Sequence, residues 1–264
     1  MHKSKPPAPD PERPWFETAF DVDYAARYAH RDHAQAEQEM RFLLSTLQLP
    51  ASAKVLDLCC GSGRHLRIMI EHGLQAEGLD LSADLLALAQ ADGLPVTRAD
   101  MRRLPYADRA FRAVFNLFTS FGYFDEAENT QALCEMARVL VPGGQLVLDV
   151  LNPTATLTQL QPHTEKAIAW ECNQRKHARA GRLVERRRYD AVTQRLEKRV
   201  RFLAPDGNSA QSECYESVRV YFEREWVALL AAGGLKLQAR YGTLNGDAFD
   251  ELTSPRQVIV AMRI

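Results

Sequence analysis

From residue 54 to 152, short unbroken apolar runs alternate with segments in which apolar residues return every three or four positions. Val55 to Leu58, Leu74 to Leu79, Pro95 to Ala99, the stretch opening at Phe111, and the stretch after Pro142-Gly143-Gly144 up to Val150 have the length and continuity of strands buried on both faces. Between them the spacing predicts helices. One runs from Arg64 to His72 and is closed by Gly73. A second is capped by Ser82 and carries Leu85, Leu86, Leu88 and Ala89. A third is started by Asp125 with Glu128 and carries Ala132, Leu133, Met136, Ala137 and Leu140. Regular strand–helix alternation implies right-handed crossovers and a parallel sheet, so the fold class is α/β.

The pattern changes outside that region. Ala36, Met40, Leu43, Leu44 and Leu47 recur at helical spacing, which predicts a core-packing helix upstream of the first strand. Between about His163 and Phe222 a two-residue period takes over, with Arg182 to Tyr189 and Arg195 to Leu203 as strands and Pro205-Asp206-Gly207-Asn208 as a turn. A helix from Glu223 to Ala232 and strands from Leu235 to Tyr241 and from Gln257 to Ile264 close the chain. The expected organisation is a disordered tail (1–14), an N-terminal helical lid (15–50), a main domain made of 51–162 and 223–264, and an antiparallel β insertion (163–222) that covers substrate or makes an oligomer contact.

Composition narrows the class without choosing a chemistry. At 264 residues, 46% hydrophobic and 25% charged, the chain can bury a full core, and a net charge of −1 gives it no global field to attract nucleic acid or an anionic membrane. Nothing near the N-terminus has the apolar core of a signal peptide, and no apolar run reaches a membrane-spanning length. The five cysteines are odd in number and form no C-x-x-C, so reduced thiols, a cytoplasmic setting and no metal site are expected. Charge is uneven locally: residues 175–201 hold 11 Lys or Arg against three acidic side chains. That excess reads either as the solvated face of an antiparallel sheet or as a patch for an anionic acceptor.

Candidate chemistry gathers where the first strand ends. Asp57-Leu58-Cys59-Cys60-Gly61-Ser62-Gly63 runs from a strand through a glycine turn into a helix, and Gly61 and Gly63 let the main chain approach a ligand closely. In the dinucleotide fingerprint G-x-G-x-x-G the third glycine permits tight helix–strand packing; here Leu66 stands in that place. Asp80 lies 17 residues beyond Gly63, at the end of the next strand, where a carboxylate can accept both ribose hydroxyls of an adenosine cofactor.

These residues, with Asp100-Met101 after the third strand and the Pro142-Gly143-Gly144 turn before the fifth, resemble class I S-adenosylmethionine-dependent methyltransferases of the small-molecule type. The resemblance covers residues 54–152 closely and 223–264 in architecture. It implies a Rossmann-like, seven-stranded, mostly parallel sheet with helices on both faces, S-adenosylmethionine as cofactor and S-adenosylhomocysteine as product. The cofactor residues it implies are Tyr28, Arg31, Asp57, Cys59, Gly61, Gly63, Asp80, Leu81, Asp100, Met101, Asn116 and Leu117. Asp80 would hold ribose, and Asp100 with Met101 would hold adenine.

Tyr24, Tyr28, His30 and Tyr123 are the catalytic candidates, with His65 a further candidate base, and Tyr24, Tyr28 and Arg31 could close over the site. The expected acceptor is a small molecule with a nitrogen or oxygen nucleophile, an anionic one being among the alternatives; nucleic acid and membrane are not expected partners, and a monomer or homodimer is expected. Three other readings stand: an RNA methyltransferase using the arginine-rich insertion, a non-catalytic S-adenosylmethionine-binding module, and a dehydrogenase disfavoured by Leu66.

Overall fold

The computed structural model describes residues 13–28, 32–172, 177–203 and 210–264. The chain divides into two compact units, Met1–His30 with Gln159–Arg219, and Arg31–Thr158 with Val220–Ile264. The segment read as one N-terminal lid is thus split between them.

In the larger unit, α2 (His33–Leu47) precedes β1 (Lys54–Leu58), α3 (Arg64–Glu71), β2 (Gln75–Asp80), α4 (Ala83–Ala91) and β3 (Val96–Arg98). Next come β4 (Phe111–Asn116), α5 (Glu126–Val139), β5 (Leu140–Leu151) and α6 (Pro153–Thr158). After the smaller unit's strands the chain returns as α7 (Trp226–Ala232), β10 (Leu235–Tyr241) and β11 (Arg256–Arg263). The sheet order is β10-β11-β5-β4-β1-β2-β3, with β11 antiparallel to both its neighbours and the other pairs parallel. This is the seven-stranded, mostly parallel sheet the sequence implies.

From β1 the order runs one way through β2 and β3 and the other way through β4 and β5. Right-handed crossovers therefore place α3 and α4 on one face and α5 on the other. Ala36, Met40, Leu43 and Leu47 of α2 share a buried core with Leu66, Ile68 and Met69 of α3 and with Val55, Phe115, Val147 and Val260 of the sheet. Pro142-Gly143-Gly144 is expected as a turn between helix and strand. It lies inside β5, where pairing with β4 jumps from Phe111↔Leu140 to Ala113↔Gln145. A Cβ on Gly144 would sit 2.8 Å from the Val141 carbonyl oxygen, so the bulge requires glycine there.

The smaller unit contains a 3-10 turn (Trp15–Glu17), α1 (Val22–Arg27) and a four-stranded antiparallel sheet in the order β6-β7-β8-β9, spanning His163–Cys172, His177–Asp190, Arg195–Leu203 and Ala210–Arg219. Leu183, Val200 and Phe202 form its apolar cluster with Cys214. Alternation puts Arg186, Arg188, Arg199 and Arg201 on the opposite, exposed face. Arg188 pairs there with Glu197 at 2.8 Å, and Arg199 and Arg201 both approach Glu213 at 3.5 Å. β9 thus supplies acidic partners that a count over β7 and β8 alone omits.

Candidate active site

The site lies where the strand order reverses, at the C-terminal ends of β1 and β4, the usual ligand position in an open α/β sheet. Cys59, Gly61 and Gly63 all have positive φ, at 64°, 56° and 83°. At Gly63 the positive φ demands glycine, and a Cβ there would also displace the terminal methyl of Leu94. Asp80 holds this turn from the neighbouring strand. One carboxylate oxygen accepts the Gly61 N–H at 2.8 Å and the other accepts the Ser82 N–H at 2.8 Å. Burial raises the Asp80 pKa against these backbone donors.

Asp57 is buried in β1. Loss of solvation and the nearby Asp80 raise its pKa to about 6, opposed by His65, Arg64 and the Leu66 N–H. Its Oδ2 and the Oδ1 of Asn116 are both buried without a hydrogen-bond partner, while Asn116 Nδ2 donates to the Leu58 carbonyl at 3.2 Å. Cys59 sits among the carboxylates: burial pushes its thiol pKa well up, and Asp80, Asp57 and Asp100 all push it further. Its sulfur lies 3.9 Å from that of Met101, so the first motif and the Asp100-Met101 pair meet. Leu81 is half-buried beside Asp80, and Leu117 is buried directly after β4.

Asp100 differs from the simple expectation of a carboxylate awaiting adenine. Arg102 binds it through Nε at 3.1 and 3.0 Å and through Nη2 at 2.6 Å, which holds its pKa below the ordinary carboxylate range despite partial burial. Arg102 also reaches Glu128 at 2.5 Å and lies over the Phe124 ring.

Tyr24 and Tyr28 belong to the smaller unit, where their rings lie 4.6 Å apart and Phe20 packs edge-on to Tyr24. Tyr123 is half-buried in the loop after β4. His30 and Arg31 lie outside the described residues. His65 is buried with Glu39, 2.8 Å from its carboxylate, and Arg64 reaches the same oxygen at 3.0 Å. Opposing this burial, His65 and Arg64 hold the Glu39 pKa down.

Sequence reading passed over two groups. Glu39 occupies an otherwise apolar helix face, and Asp149 interrupts the apolar run of β5; a carboxylate among buried positions was the available signal in each case.

Residues 55–144 match the family model described as a methyltransferase domain. The probable tRNA methyltransferase 9B of Bos taurus is 32% identical over 134 residues, covering 48% of this chain and 28% of the relative. Demethylmenaquinone methyltransferase of Mycolicibacterium vanbaalenii is 39% identical over 112 residues, covering 42% of this chain and 48% of the relative. The chain spans about half the length, or less, of these curated relatives. An S-adenosylmethionine-bound amino pentose methyltransferase from Micromonospora echinaspora, involved in calicheamicin biosynthesis, is 25% identical, with a TM-score of 0.68 over 92% of this chain and 97% of that one.

The match to a methyltransferase domain thus falls on residues 55–144, within a seven-stranded sheet of the class I methyltransferase fold.

Proposed function

We propose that the protein transfers the methyl group of S-adenosylmethionine to a nitrogen or oxygen of a small-molecule acceptor. The observation that carries this reading is the glycine turn itself, which Asp80 holds through the Gly61 and Ser82 N–H groups, with the Cys59 sulfur 3.9 Å from that of Met101. Three carboxylates and two unpartnered buried oxygens, Asp57 Oδ2 and Asn116 Oδ1, suit a ligand carrying a sulfonium, an ammonium and hydroxyl donors. They oppose a pyrophosphate, whose charge they would repel.

When bound, the cofactor supplies an electrophilic methyl group on a sulfonium whose charge disappears on transfer. The chain's own work is alignment and exclusion of water. Gly61 and Gly63 admit the close approach of the amino-acid part. Asp80 retains lone pairs for ribose hydroxyls after accepting its two backbone N–H groups. Met101, with Asp100 beside it, holds the adenine, and Asn116, Leu81 and Leu117 complete the pocket.

Tyr28 and Arg31 are assigned to closure over the cofactor, and Tyr24, Tyr28, His30 and Tyr123 to the acceptor side. A general base is required only for an acceptor that arrives protonated. His65 is not assigned that role, because Glu39 and Arg64 already engage it in a buried cluster.

A small metabolite is favoured over RNA by two observations. The likeness to the amino pentose methyltransferase extends over nearly the whole chain, and exposed arginines of the insertion share Glu197 and Glu213. Calorimetric titration with S-adenosylmethionine, S-adenosylhomocysteine and NAD tests the cofactor. The first two should bind and NAD should not. Asp80→Ala, with its native fold retained by circular dichroism, should lose at least about tenfold in affinity for both, the size expected for removing a charged acceptor. Wild-type affinity in that variant would remove Asp80 from the site.

A further inference from the structure

The loop leaving β4 is built in an unusual way. Phe118 and Thr119 both have φ of 59°, a left-handed conformation that costs non-glycine residues and persists only where surrounding contacts over-determine it. Asp149 of β5 supplies those contacts. Its Oδ2 accepts the Phe118 N–H at 2.9 Å, and its backbone carbonyl accepts the Thr119 N–H at 2.8 Å.

Asp149 is wholly buried, and Arg256 at the start of β11 grips it with two bonds, Nε to Oδ1 at 2.7 Å and Nη2 to Oδ2 at 2.6 Å. The same loop is tied to the glycine-turn helix through its side chain. The Phe118 ring lies 4.6 Å from the Arg64 guanidinium carbon, 5.6 Å from that of Arg256 and 5.6 Å from the His65 ring. Arg64 and His65 are the first two residues of α3, directly after Gly63.

A buried ion pair is weak evidence for stability, because its desolvation offsets most of the attraction. Here it is joined to two strained residues at the strand end where ligands of such sheets bind. We propose that Asp149 and Arg256 are positioning residues: they fix the post-β4 loop, and through Phe118 they set the start of α3 and hence the glycine turn that receives the cofactor. This rests on the cofactor reading above and adds two residues, 107 positions apart, that lie outside the cofactor residues named above.

The test combines hydrogen exchange at the Phe118 and Thr119 amides with calorimetric titration of S-adenosylhomocysteine on the full chain. In Arg256→Gln both amides should exchange at least about tenfold faster than in wild type, while the β1 amides keep their rates. Affinity should fall by a similar factor, and Arg256→Lys, which keeps the charge, should recover part of both effects.

Arg256→Gln leaves a buried carboxylate unpaired and could fail to fold, so Phe118→Leu is the second variant. It keeps the ion pair and the apolar bulk but loses the ring over Arg64, and it should bind S-adenosylhomocysteine several-fold more weakly. Unchanged affinity in Phe118→Leu overturns the proposal, as does wild-type exchange at the two amides in a folded Arg256→Gln. Absence of binding by the wild-type chain would instead sink the cofactor reading, and the clamp on the loop would then stand or fall on the exchange rates alone.

Discussion

Leu66 shows how one side chain separates two cofactor classes. Where a dinucleotide fold places glycine on the helix, this chain keeps leucine and puts the glycine on the strand opposite. A Cβ on Gly78 would lie 2.7 Å from Leu66 and 2.8 Å from the sulfur of Cys60. The close helix–strand approach is the same, with the vacancy on β2. Asp57 carries the main acid–base consequence at this scale. With a folded pKa of about 6 against an ordinary 3.8, the native state binds its proton more tightly than the unfolded chain. That contribution to stability is complete below the unfolded value and is lost as pH rises through about 6. Asp57→Asn should therefore gain stability relative to wild type between about pH 4 and pH 7.5, by up to about 3 kcal/mol. Urea unfolding at the two pH values measures this, and a constant difference between the proteins would refute it.

At the scale of elements, periodicity located most helices and strands of the larger unit, because each buries a face with its own characteristic repeat; the short α6 carried no such signal, and β5 begins at Leu140, ahead of the expected turn. Spacing did not reveal what joins the elements. Glu39 of α2 and His65 of α3 are 26 residues apart, and their 2.8 Å contact depends on how the two helices pack. Glu39→Ala would leave His65 and Arg64 without their shared acceptor in a nearly dry site. A loss of about 3 kcal/mol is expected, read from the urea midpoint at constant slope. A loss below about 0.5 kcal/mol would place the cluster with surface ion pairs. Gly61 and Gly63 were legible because the turn's positive φ demands glycine, whereas Asp57, Cys60 and Asp80 were legible through their resemblance to the family's motifs. Arg102 on Asp100 was not anticipated, although they are only two positions apart, since nothing local distinguishes an ion pair from a ligand-facing carboxylate.

The whole molecule consists of two units with different charge logic. In the larger, carboxylates converge on a buried turn; in the smaller, arginines and acids share an exposed sheet face. Among the described residues no helix is long and apolar enough to cross a membrane. Arg199→Glu combined with Arg201→Glu should change S-adenosylmethionine affinity by less than about twofold and stability by about 0.5 kcal/mol or less, because exposed pairs contribute little. Paired titrations of wild type and variant at about 0.05 and 0.2 M salt decide it. A strong, salt-dependent RNA affinity in wild type that the variant loses would favour the RNA reading instead.

The amino-acid sequence by itself determined the α/β class and the glycine turn, since these follow from short-range periodicity and from a backbone conformation that only certain residues accept, and the order of the motifs carried the family resemblance. Only the tertiary structure decided that Asp80 closes the turn it was expected to serve, that Arg256 grips Asp149, and that Glu213 answers the arginines. Those pairings join residues from 12 to 107 positions apart, and sheet order and register, not spacing along the chain, bring them within a few ångströms.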